Sequence, residues 1–152
     1  MSGEHGGADL VPIHGGLAAP VDRIVPISRR AAFLAEAEKL PSIRVTRADL
    51  STVYRISDGA LSPLTGPMRA EVYHRVLSEQ CLHVGDERYA WTIPLALPVT
   101  DAEVAAIGVG GSVAVRTEAG GIVAIVDDVE VYELDKETYV ERVYRTRRFD
   151  HP

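Results

Sequence analysis

Asp127 and Asp128 stand side by side, and a carboxylate pair is standard equipment for general acid–base chemistry. That chemistry needs both groups to converge on one reacting atom, whereas neighbours on a strand point to opposite faces. Within "IVAIVDDVEVYEL", read as a strand, the pair is expected to cap or solvate the chain. Cys81 offers a nucleophile, with only His83 nearby in "SEQCLHV". As the single cysteine it excludes an internal disulfide and any thiolate-rich metal site, and it reads as a buried structural thiol. Neither His74 nor His83 has a partner at a metal-ligand spacing, so no metal site is expected. His14, before Gly15-Gly16, could approach an anion; a turn histidine held by a hydrogen bond is the plainer reading. "EAGG" and "GVGG" lack the lysine and the strand-to-helix setting of a phosphate loop. "YRTRR", with Arg145, Arg147 and Arg148, is a basic tail open to an acidic partner or to solvent.

These groups must be positioned by a chain of 152 residues, long enough for one domain with one sizeable core. The net charge of −6 disfavours RNA and DNA, whose binding needs a basic footprint. All but two of the cationic residues, Lys39 and Lys136, are arginine. No apolar run approaches the ~18 residues that a membrane span requires. "MSGEHGGADL" has neither a basic nor an apolar stretch, so a secretory signal is not supported and cytosol is the expected compartment. Residues 1–9 read as a disordered tail and 10–152 as the folded domain.

The local patterns predict an α+β chain. Ser28 is placed to cap a helix through "RRAAFLAEAEKL" that stops before Pro41. "SIRVT" reads as a strand, and Thr46 as the cap of "RADLSTVYRIS". There Leu50, Val53, Tyr54 and Ser57 share a face and Gly59 closes the helix. "RAEVYHRVLSEQ" is helical, with Val72, Tyr73, Val76 and Leu77 on one side. "YAWTIPLALPV" suits an edge or bulged strand because of Pro94 and Pro98. Thr100 and Glu103 have capping-box spacing for "DAEVAAI", closed by Gly108. "GSVAVRT" and "IVAIVDDVEVYEL" flank a turn as a hairpin, and Asp135 caps "KETYVERVYRT". In "GALSPLTGPM", Gly59 ends a helix, Ser62-Pro63 sets an extended turn, and Gly66 permits a backbone conformation that other residues avoid. Met68 then returns the chain to the core.

The order "LVPIHGG", "LPSIRVTRADLSTVYRISDGALSPLTGPM", "WTIPLAL", "YVERVYRTRRFDHP" resembles the N-terminal domain of ATP sulfurylase (sulfate adenylyltransferase) over roughly residues 10 to 152. The residues that carry it are His14, Gly15, Gly16, Gly59, Ser62, Pro63, Leu64, Gly66, Met68, Trp91, Pro94, His151 and Pro152. The resemblance implies a PUA-like fold, a small β-barrel with flanking helices, in which these residues shape the domain. The chain departs from the family pattern at Pro12-Ile13, at Pro67 where the family commonly has Phe, and at Arg148 where it usually has Asp.

In that family the chemistry lies in a separate catalytic domain, with a Gln-x-Arg-Asn-Pro-x-His motif and a His-x-x-His motif. This chain has no asparagine and no two histidines three residues apart. The resemblance therefore implies a non-catalytic domain with no cofactor of its own, docking on a catalytic domain in cis or in trans and so supporting sulfate activation. Tyr144, Arg145, Arg147, Arg148 and Phe149 are the expected docking surface. A stand-alone module binding RNA, a small ligand or a protein is the alternative, and homo-oligomerisation is left open.

Overall fold

The computed structural model describes residues 11–108 and 110–149. The expected tail at 1–9, and His151 and Pro152, lie outside them. A helix α1 (Arg30–Ala37) follows a 3₁₀ turn at Ile27–Arg29. Ser28 makes no side-chain cap, and the helix is shorter than expected. Beyond Ala37 the Lys39 and Leu40 amides reach back only three residues, to Glu36 and Ala37. This tightening satisfies the last carbonyls ahead of Pro41, which disfavours helical backbone at Leu40.

Strand β1 (Ser42–Val45) leads into α2 (Arg47–Ser57), where Thr46 and Asp49 form a reciprocal capping box. The buried face of α2 holds Val53 and Ile56, while Tyr54, expected on that face, is exposed. Helix α3 (Ala70–Glu79) buries Tyr73, Val76 and Leu77 as its periodicity predicts. Its N-terminus has no cap from its own sequence. Glu130 supplies one from across the fold, accepting from the Ala70 amide at 3.3 Å.

After α3, Gln80 takes a left-handed conformation and the chain enters the hairpin β2 (Cys81–Val84) and β3 (Glu87–Ala90). Sequence reading missed this hairpin. The strand expected at "YAWTIPLALPV" extends only to Ala90, and residues 91–100 belong to no ladder. The prolines at 94 and 98 remove the amides that a ladder would need.

Helix α4 (Asp101–Ala106) has the predicted capping box between Thr100 and Glu103. Strands β4 (Val113–Thr117) and β5 (Ile122–Val126) pair as expected, but β5 stops eight residues short of Leu134. The cause is Asp128, whose φ of +53° turns the chain away. Asp127 and Asp128 thus lie beyond the strand. Asp127 accepts from Ser112 Oγ at 2.6 Å, and Asp128 pairs with Arg69 at 2.7 Å. Helix α5 (Lys136–Tyr144) starts at Asp135, which accepts from the Glu137 and Thr138 amides.

The described strands form two small sheets, β1-β4-β5 with β1 parallel to β4, and the antiparallel β2-β3; no closed barrel is present among the described residues. Central strand β4 is buried on both faces at Val113, Ala114 and Val115. Its Val113 and Val115 pack with Ile43, Val45 and Val53. The free edge of β1 is covered by Glu103, which accepts from the Arg44 amide at 2.7 Å. Burial pushes that carboxyl up, but the hydrogen bonds from Thr100 and Arg44 outweigh it and hold it below its usual range. A second cluster joins Leu64, Met68, Tyr73, Val76, Leu77 and Leu82, with Tyr132, Tyr139 and Val143 against it.

Tyr73 is 3% exposed and its hydroxyl has no hydrogen-bond partner among the described residues. A buried hydroxyl without a partner costs about 1–3 kcal/mol. Tyr73→Phe is therefore expected to raise the unfolding free energy by about 1 kcal/mol in urea titration. A loss of similar size would show that the hydroxyl is satisfied.

Candidate functional site

The segment 59–68 lies between α2 and α3; Gly15 approaches it at Pro63, and Trp91 packs against the cluster that holds Leu64 and Met68. Ser62, 5% exposed, is the one buried polar residue of the described core. Its hydroxyl donates to the Gly59 carbonyl at 2.6 Å and accepts the Val21 amide at 2.9 Å. The Arg23 amide donates to the Ser57 carbonyl at 2.9 Å. Two bonds thus tie the N-terminal segment to the end of α2. The Ser62–Pro63 bond is cis, and the Leu64 amide closes back on the Leu61 carbonyl at 3.0 Å. The turn is tight and hydrogen-bonded rather than extended as expected.

Glycine is required where the chain crosses this turn. Gly15 has φ +86°, and a Cβ there would lie 2.8 Å from the Pro63 ring. Gly16, at φ +68°, would drive a Cβ into the Tyr89 hydroxyl, and Gly59, at φ +81°, would meet the Val21 carbonyl at 2.5 Å. Gly66 differs from the expectation. It has no positive φ and open space beyond its Cα, so nothing in the structure demands glycine there.

His14 is exposed, its ring 5.6 Å from Tyr89 and 5.8 Å from Trp91 between centroids. It sits as an aromatic neighbour of β3, not in an anion cradle. Trp91 donates its indole N–H to the Ile93 carbonyl at 2.7 Å, and Pro94 is buried behind it. Met68, 5% exposed, is the other junction. Its amide donates to the Leu95 carbonyl at 2.8 Å, and its carbonyl accepts the Tyr132 hydroxyl at 2.8 Å. Burial, then the charge of Glu130, pushes the Tyr132 phenol up to about 12. Burial likewise raises Tyr73, aided by Tyr139 and Tyr132.

The expected docking residues follow α5. Tyr144 is 51% and Phe149 61% exposed. Tyr144 stacks edge-on against Tyr139, and burial followed by the Tyr144 charge raises the Tyr139 phenol. Arg145 ends the helix in a left-handed conformation, Arg147 pairs with Glu141 at 3.0 Å, and the Arg148 amide donates to Thr146 Oγ1 at 3.2 Å. Val131 and Leu134 add further exposed apolar surface in the segment leading into α5.

Sequence reading missed the surroundings of Cys81. The thiol is buried as expected, but Glu79, Cys81 and His83 bring a carboxylate, a sulfur and an imidazole within 4.8 Å of one another. The signal was available. "VGDE" holds a Gly-Asp turn between two short runs, and a strand there puts residues 81 and 83 on one face.

The family model described as "PUA-like domain" matches residues 11–152. The chain is 40% identical over 145 residues to a sulfate adenylyltransferase of Pyropia yezoensis, covering 95% of this chain and 33% of that protein. It is 34% identical over 144 residues to that of Nostoc punctiforme, covering 95% and 36%. With that of Desulforamulus reducens it shares 38% identity over 144 residues, covering 94% and 36%. The chain spans about a third of the length of these curated relatives. No helix among the described residues is long and apolar enough to cross a membrane.

Gly15→Ala and Gly59→Ala are each expected to cost about 2–5 kcal/mol, combining a left-handed backbone penalty with overpacking. Gly66→Ala is expected to stay within about 0.5 kcal/mol of the parent. Equal losses at all three positions in denaturant titration would contradict this reading.

The raised phenols also predict alkaline sensitivity. The folded chain keeps protons that the unfolded chain releases near pH ~10. Their stabilisation is complete below that pH and is lost as pH climbs toward about 12. Tyr132→Phe is expected to flatten the fall of the urea midpoint across this window. An unchanged slope would place its cause elsewhere.

Proposed function

The chain belongs to the PUA-like domain family, and from that membership we propose that it is the non-catalytic domain of a sulfate adenylyltransferase. In this reading it docks on a catalytic domain, in cis or in trans, and supports the reaction of ATP with sulfate to adenosine 5′-phosphosulfate and pyrophosphate. One observation carries the proposal: the alignment to the Pyropia yezoensis sulfate adenylyltransferase takes in 95% of this chain and only 33% of that protein. Such a relation is what a domain bears to a longer enzyme.

The chemistry of the chain agrees. Asp127 and Asp128 are taken up by Ser112 and Arg69, and the described signature residues at 15, 59, 62 and 68 are engaged in turns and packing. Of the catalytic motifs expected of the parent enzyme, one needs asparagine, which the sequence lacks, and the other needs two histidines three residues apart, which the sequence does not have. The docking face is assigned to Tyr144 and Phe149, with Arg145, Arg147 and Arg148 as its rim. Exposed aromatics beside arginine are the residue types enriched at interface centres. The PUA-like barrel is part of the same proposal. The bonds from Met68 to Leu95, and between Val129 and the Gly110–Gly111 pair, support closure through segments outside the two sheets.

The test mixes the full chain with the remaining part of the Pyropia yezoensis enzyme and follows co-elution by size exclusion with light scattering. A one-to-one complex is expected. Tyr144→Asp and Phe149→Asp together should weaken it by at least about tenfold with the denaturation midpoint of the chain unchanged. No complex, or one indifferent to both substitutions, overturns the proposal.

A further inference from the structure

The end of α3 and the hairpin that follows place four polar side chains around one point. In β2, Cys81 and His83 are two residues apart and share a face. Arg88 of β3 lies directly opposite His83, and Ala90 opposite Cys81, so both project on that same face. Glu79, the last residue of α3, bends over this face and supplies the fourth group.

Glu79 Oε2 is the hub. It lies 3.7 Å from Cys81 Sγ, 3.2 Å from His83 Nε2 and 3.0 Å from an Arg88 Nη2 that is also 3.4 Å from the sulfur. For zinc with ordinary Zn–S, Zn–N and Zn–O bonds, tetrahedral sites have S···O and N···O edges of about 3.6 and about 3.4 Å. The observed 3.7 and 3.2 Å are close to those edges before any rearrangement. The three donors span the ligand types that zinc accepts, and the thiolate selects against hard cations such as magnesium and calcium.

Arg88 occupies the side of the cluster left open by the three donors. Its Nη2 lies 3.0 Å from Glu79 Oε2 and 3.4 Å from Cys81 Sγ, so a cation already stands against two of the three donors. The place is therefore already furnished for positive charge. The Arg88 side chain is 62% exposed and tethered only by these contacts among the described residues. It can swing into water and yield its position to a metal-bound water.

We propose that Glu79, Cys81 and His83 form a three-ligand site for a thiophilic divalent cation of the zinc class, with Arg88 as the countercharge that fills the site when the metal is absent. The site lies on the hairpin face opposite the one carrying Leu82 and Tyr89 toward the second core cluster and His14. It shares no residue with the Tyr144–Phe149 surface, and it stands whether or not the chain docks on a catalytic domain.

Cobalt(II) titration of the reduced full chain tests it, because sulfur ligation gives a charge-transfer band in the near ultraviolet. One equivalent of cobalt is expected to produce the band, and zinc to abolish it by displacement. Cys81→Ser should remove the band. His83→Ala, at an exposed position that leaves the fold intact, should weaken binding by more than about tenfold, since even outer-shell losses cost about 10–100-fold. Arg88→Ala should tighten binding. No sulfur band in the parent chain, or binding that His83→Ala leaves unchanged, overturns the site. Weaker binding in Arg88→Ala overturns the role given to that residue.

Discussion

The hydroxyl of Ser62 joins segments 41 residues apart in the chain. It is buried, and with one donor and two lone pairs it joins the end of α2 to the incoming N-terminal segment through Gly59 and Val21. A polar group so placed is stabilising only while both partners stay in reach. That condition requires the chain to pass within contact distance of itself. It explains why glycine stands at 15 and 59, where any side chain meets the Pro63 ring or the Val21 carbonyl. Pro63, Gly15, Gly16 and Tyr89 then form one stack that carries the constraint from the loop to the hairpin.

From that junction the two halves of the core follow. Met68 takes the chain out of the loop and binds residue 95 on one side and Tyr132 on the other. Arg69 and Ala70 hold Asp128 and Glu130, so the segment leaving β5 is clamped to the start of α3. The three-stranded sheet is closed at its β1 edge by the same Glu103 that caps α4. Single side chains serving two elements at once are what allow short strands of four or five residues to hold their places.

Helix caps at Thr46, Thr100 and Asp135 were legible in the sequence, whereas the one expected at Ser28 did not form. Thr46 with Asp49, Thr100 with Glu103 and the Asp135 cap all formed as their spacing dictates. The periodicity of α3 named its buried residues. Features set by distant partners were not legible. The end of β5 depends on Asp128 reaching Arg69, 59 positions away, and no window of the sequence contains both. The extent of the "YAWTIPLALPV" strand was overestimated because apolar alternation outweighed the missing proline amides. The signature residues were recognisable as a set that shapes the domain, but their contacts were not. Only the fold places His14, Gly15 and Gly16 on Pro63, Tyr89 and Trp91. The Glu79, Cys81 and His83 cluster was overlooked because the β2-β3 hairpin was not assigned, and the helix-to-strand boundary at Gln80 falls between its members.

Ser62, with Gly59, clamps the N-terminal segment against the end of α2. Amide hydrogen exchange at Val21 tests this clamp most directly, since that N–H is the group held by Ser62 Oγ. In the parent chain Val21 should exchange as slowly as the amides of β4, because opening it requires opening the junction. Ser62→Ala should speed that amide by at least about tenfold. Exchange of Val21 at the rate of an unstructured peptide in the parent chain would contradict the clamp, as would a rate that Ser62→Ala leaves unchanged.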